Sequence, residues 1–112
     1  MRPHRTEDVA ITIVTEVLPA SLFLPSPPDR GRIRGKAVYL EMRTPYGRSV
    51  ILPADRMHME DLYVATCYFD QYGIWHLRWR GLENETPGWA DAIRVDVVHP
   101  EDDPLYETGG VC

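Results

Sequence analysis

A chain of 112 residues, 44% hydrophobic and 26% charged, has the makeup of one globular domain rather than of a disordered segment, and dividing it would leave two cores too small to stand alone. Its formal charge of −5 argues against general affinity for nucleic acid, which needs enough Lys and Arg to displace phosphate counterions. No apolar run approaches the roughly 18 residues of a membrane span, and MRPHRTEDV lacks an apolar signal segment, so neither membrane insertion nor secretion is expected and cytoplasmic synthesis is the default.

Residues 1–8 mix Arg2, His4, Arg5, Glu7 and Asp8 with Pro3 and are expected to form a flexible polar arm. The run VAITIVTEV, Val9 to Val17, is rich in β-branched residues. It sets Val9, Ile11 and Ile13 on one face and Ala10, Thr12 and Val14 on the other, which predicts the first strand. Between Leu18 and Gly35, Pro19, Pro25, Pro27 and Pro28 exclude a regular helix or a central strand, yet Leu22, Phe23 and Leu24 are too apolar for a solvated loop. Two readings stay open: a loop folded over one end of the core, or a contact surface for a partner subunit. Arg30, Arg32, Arg34 and Lys36 follow as a basic cluster, able to grip phosphate or carboxylate, or else solvated and paired internally.

Lys36 to Thr44 alternates, with Val38, Leu40 and Met42 inward and Tyr39, Glu41 and Arg43 outward. Thr44, Pro45, Tyr46 and Gly47 have the residue order of a type I turn, and Arg48 to Leu52 returns as a short strand, so a hairpin is predicted. Pro53 to Asp61, PADRMHMED, reads as a polar connection with room for one helical turn. Leu62 to Gly81 reads as two strands joined by a tight turn at Asp70, Gln71, Tyr72 and Gly73. The second of them places Trp75, Leu77 and Trp79 inward, and Ile74, His76, Arg78 and Arg80 outward. After a loop at residues 81–88 comes Trp89, then a last strand with Ile93, Val95 and Val97 inward. Residues 99–112 read as an extended acidic tail.

The search for chemistry finds little. His4, His58, His76 and His99 stand at no spacing that makes a local metal site, and Met57, His58 and Met59 read as surface rather than as copper ligands. Cys67, in a strand among apolar neighbours, reads as inert packing, and both it and the terminal Cys112 as free thiols. No phosphate loop, GxSxG elbow or paired CxxC occurs, so no catalytic, cofactor or metal residue is assigned. Arg78 and Arg80 flank Trp79, but the alternation sends the indole and the guanidinium groups to opposite faces. This disfavours a nucleic-acid platform and leaves an arginine row suited to a carboxylate-bearing protein.

Roughly six or seven short strands over residues 9–98 predict an all-β, antiparallel immunoglobulin-like sandwich. The segment YFDQYGIWHLRWRG, Tyr68 to Gly81, followed by a strand ending IRVDVV, resembles the C-terminal half of the small Ig-like domains of tailed-bacteriophage virion proteins. Phe69, Gly73, Trp75, Leu77, Arg78 and Trp79 occupy the matching positions, while Gln71 and Tyr72 stand where that pattern has a turn proline. The resemblance implies a non-enzymatic structural protein of the virion, at the head-to-tail junction or as a capsid decoration. Capsid, portal or neck subunits would be its partners and it would be oligomeric in the particle, with no cofactor, no membrane contact and no nucleic acid. The residues expected at its interfaces are Leu22, Phe23, Leu24, Arg30, Arg32, Arg34, Arg78, Arg80 and Trp89. A carbohydrate- or cell-surface-binding module built on Trp89 is the alternative.

Overall fold

The computed structural model describes residues 10–26, 37–57, 62–82, 88–89 and 92–102. Eight strands fill them: β1 Ala10–Val14, β2 Ala20–Pro25, β3 Tyr39–Arg43, β4 Ser49–Pro53, β5 Asp55–Met57, β6 Leu62–Phe69, β7 Gly73–Arg80 and β8 Ile93–Val98, with a 3-10 turn at Pro100–Asp102. They form a five-stranded sheet in the order β1-β8-β7-β3-β4 and a three-stranded sheet in the order β2-β6-β5. The all-β expectation holds.

The period-2 patterning decides which side of each strand is dry. Trp75, Leu77 and Trp79 of β7 and Leu40 and Met42 of β3 face Tyr63, Ala65, Cys67 and Phe69 of β6 in one shared core. Phe69 and Trp75 meet across it edge to face, ring centroids 5.1 Å apart and planes at 84°, the arrangement the ring quadrupoles favour. The Trp75 indole N–H donates to the Gln71 carbonyl at 3.0 Å, so its polar edge is satisfied where the chain turns. The β3–β4 hairpin is present as predicted. Gly47 N–H donates to the Thr44 carbonyl at 2.9 Å and Thr44 N–H to the Arg48 carbonyl at 2.8 Å. With Gly47 at φ 88° this is a type I turn closed by a one-residue bulge, whose left-handed position favours glycine.

Five expectations are corrected. The two strands of Leu62 to Gly81 are not a hairpin: β6 pairs with β2 and β5, β7 pairs with β3 and β8, and the short turn between them carries the chain from one sheet to the other. The proline-rich stretch after Leu18 holds strand β2, antiparallel to β6. Prolines are tolerated because β2 is an edge strand bracketed by Pro19 and Pro25. The polar connection after Pro53 contains no helical turn among its described residues. β4 runs through Pro53 and, after Ala54, Asp55–Met57 joins the other sheet as β5. The sheets are not wholly antiparallel either, since β1 runs parallel to β8, Ile11 beside Val95 and Ile13 beside Val97. The first strand is also shorter than the predicted run to Val17. Beyond it Thr15 N–H still donates to the Val98 carbonyl at 2.9 Å, and the Tyr72 hydroxyl donates to the Thr15 carbonyl at 2.9 Å.

Candidate functional site

The outward face of the five-stranded sheet gathers a cluster of polar and charged side chains. On β7 it presents Ile74, His76, Arg78 and Arg80, on β3 Tyr39, Glu41 and Arg43, and on β8 Arg94 and Asp96. Register sets these side chains in cross-strand rows. Arg43 stands opposite His76 and His76 opposite Arg94, while Glu41 stands opposite Arg78. The outward arginines of β7 are already engaged within the chain. Arg78 and Glu41 pair at 2.7 Å with side chains only 16% exposed, and Arg80 reaches the same carboxylate at 3.7 Å.

Trp89 closes this cluster. Arg78 also donates to the Gly88 carbonyl and its guanidinium lies 4.1 Å from the Trp89 ring centroid, while that of Arg43 lies at 4.5 Å. Such contacts add cation–π attraction to the ion pair and hold the ring against the sheet. They also occupy the indole with guanidinium groups, which weighs against its use as an open sugar-stacking platform.

Of the residues expected at interfaces, Arg78, Arg80 and Trp89 therefore come together. The trio Leu22, Phe23 and Leu24 lies on the other sheet and does not form a continuous greasy patch. Leu24 belongs to the core, Leu22 packs against it, and only Phe23 is exposed, at 59%. Strand alternation is the reason. Arg30, Arg32, Arg34 and Lys36 lie outside the described residues, as do His4, His58, Met59, Cys112 and most of the loop before Trp89. Strand alternation alone places His76 outward beside Arg78 and Arg80, and Arg43 and Arg94 outward on their own strands, but nothing in the sequence brings Arg43 and Arg94 to either side of His76.

His76 is held below its ordinary 6.5, first by burial and then by Arg43 and Arg94, with Asp96 pulling the other way. Cys67 points into the core from the opposite sheet, so it cannot form a dyad with the outward His76, and burial pushes its thiol up to about 11. Among the described residues, no cluster of three His, Cys, Asp or Glu side chains has the arrangement of a metal site. No helix in the described residues is long and apolar enough to cross a membrane. A cleft of about 510 Å³ opens at one end between the β3–β4 turn and the β6–β7 connection, lined in part by Arg48, Tyr68, Asp70 and Trp75. It does not include the outward row of Arg43, His76 and Arg94. Comparison with known proteins finds no matching family model, no matching curated protein and no matching solved structure.

Proposed function

We propose that this chain is an immunoglobulin-like domain that acts through protein–protein contact, as a non-enzymatic structural or assembly subunit of a bacteriophage particle. The strand order carries the reading. β3, β7 and β8 take the places of the C, F and G strands, β4 adds beside β3 as C′ does, and β2, β6 and β5 follow the B-E-D order of the facing sheet. The first strand alone departs, lying beside β8. The virion assignment rests on the resemblance of Tyr68 to Gly81, whose Phe69, Trp75, Leu77 and Trp79 all point into the core. Such a segment supports the domain, and contact with neighbouring subunits falls to the polar outer face and to exposed positions such as Phe23.

Mass spectrometry of particles purified from the source tests this. Peptides of the chain are expected at the abundance of a repeated structural subunit. Particles free of the chain would refute the assignment.

A further inference from the structure

On the outer face of the five-stranded sheet, the row formed by Arg43, His76 and Arg94 carries an excess of positive charge among the described residues. Cross-strand neighbours of like charge repel, and here two arginines flank a histidine from both sides. Arg94 has a partner in Asp96 at 3.3 Å, with its side chain still 50% exposed. Arg43 rests against Trp89, and among the described residues no carboxylate pairs with it. In the neighbouring rows a single carboxylate, Glu41, serves both Arg78 and Arg80. Among the described residues the face thus carries Arg43, Arg78, Arg80 and Arg94 against Glu41 and Asp96, on a chain whose formal charge is −5.

From this we infer that the outer face of β7 and its neighbours docks an acidic, extended segment of a protein partner, whose carboxylates seat on the Arg43–His76–Arg94 row, and that docking takes up a proton on His76. The inference rests on the protein-contact reading above and names the chemistry of the partner. Charge decides between occupants. A long polyphosphate would run beyond this face into the field of the rest of an acidic chain, whereas a short acidic segment makes its contacts within a Debye length, about 8 Å at physiological salt, where the local arginines dominate. Spacing agrees with it. The row crosses three neighbouring strands about 4.8 Å apart, which sets its two arginines roughly 9.6 Å apart at the backbone, within side-chain reach of two carboxylates about 6.8 Å apart on alternate residues of an extended segment lying across the strands.

The proton follows from the same geometry. His76 faces Arg43 from β3 and Arg94 and Asp96 from β8, with Arg78 next outward on its own strand. Burial and the two flanking arginines hold its proton off in the free protein. A carboxylate seated among them offsets their field and favours the imidazolium. Affinity then rises as pH falls from above the bound-state pKa of His76 to below its free value.

A fluorescein-labelled peptide of alternating Glu and Ser, followed by anisotropy, tests the proposal. It should bind, more weakly as salt is raised. Binding should be tighter at pH about 5.5 than at about 7.5, by up to about tenfold for each unit that docking raises the His76 pKa. Arg43→Gln with Arg94→Gln should weaken it at least about tenfold, whereas Arg43→Lys should retain most of it. His76→Gln should bind with the pH dependence lost. Thermal melts establish that each variant is folded. The proposal is overturned if the Glu peptide does not bind, if a Gln/Ser peptide binds equally, if the double arginine variant binds as the parent does, or if His76→Gln keeps the pH dependence. Tighter binding of a short single-stranded oligonucleotide overturns it too. Virion membership, read by mass spectrometry, is decided independently of any of these outcomes.

Discussion

Replacing Phe69 with Ala should cost about 4 kcal/mol, a large fraction of the roughly 5–15 kcal/mol that holds a domain folded. Phe69 is 0% exposed and lies at the last position of β6, its ring edge to face with Trp75 at 5.1 Å. A phenyl side chain buries about 150–250 Å², which at about 25 cal/mol per Å² is worth roughly 4–6 kcal/mol. Alanine keeps a small part of this, while the cavity left behind and the lost ring pair, about 0.5–1.5 kcal/mol, add to the cost, in line with the roughly 3–5 kcal/mol typical of such truncations. For the roughly 90 residues of the sandwich, each kcal/mol lowers Tm by about 4–8 °C, so a drop of at least about 15 °C is expected. Phe23→Ala is the control, since Phe23 is 59% exposed on the other side of the same sheet and should cost under about 0.5 kcal/mol. Urea denaturation of both variants gives the comparison. Equal losses, or a Phe69→Ala loss under about 1.5 kcal/mol, would refute the two-sheet core.

Three further outcomes follow from the packing. Gly81 sits at φ 91°, and a Cβ there would collide with the Ala37 carbonyl oxygen, so Gly81→Ala should destabilise by about 2–4 kcal/mol in chemical denaturation. A double-mutant cycle on Glu41→Gln and Arg78→Ala should give a coupling of about 1.5–3 kcal/mol. Arg78→Lys should recover only part of it, because an ammonium does not reproduce the planar contact with Trp89. Cys67 should resist a thiol reagent in the native protein and react fully in denaturant. Its thiol, lifted from 9.0 to about 11, favours the folded state fully below pH about 9, and that contribution is lost as pH climbs towards 11, a loss absent in Cys67→Ala.

Much of the architecture was legible in single strands. The alternation of Trp75, Leu77 and Trp79 against His76, Arg78 and Arg80 named the dry and wet sides of β7, and Leu40 and Met42 did the same for β3. The Thr44 to Gly47 turn identified its own hairpin, because turn chemistry acts over four or five residues. The role of Pro19 and Pro25 was not legible. A proline is harmless on an edge strand and ruinous on a central one, and which of these β2 is depends on β6, some forty residues later in the chain.

The candidate site divides in the same way. Arg78, Arg80 and Trp89 could be chosen from sequence as outward or unusual residues. That Arg43 and Arg94 flank His76 depends on the register of three strands that are distant in sequence. The short turn before Gly73 has the same limit, since a few residues suffice either to fold β7 back beside β6 or to carry it across to the facing sheet. What decides is where the inward rings meet, and Phe69 meets Trp75 across the core. The sequence by itself determined an all-β domain with a hydrophobic side to each strand, because side-chain alternation is a property of the local backbone. Only the tertiary structure decided which strands are neighbours, and with that the row of like charges on the outer face, because pairing is settled by contacts between segments far apart in the chain.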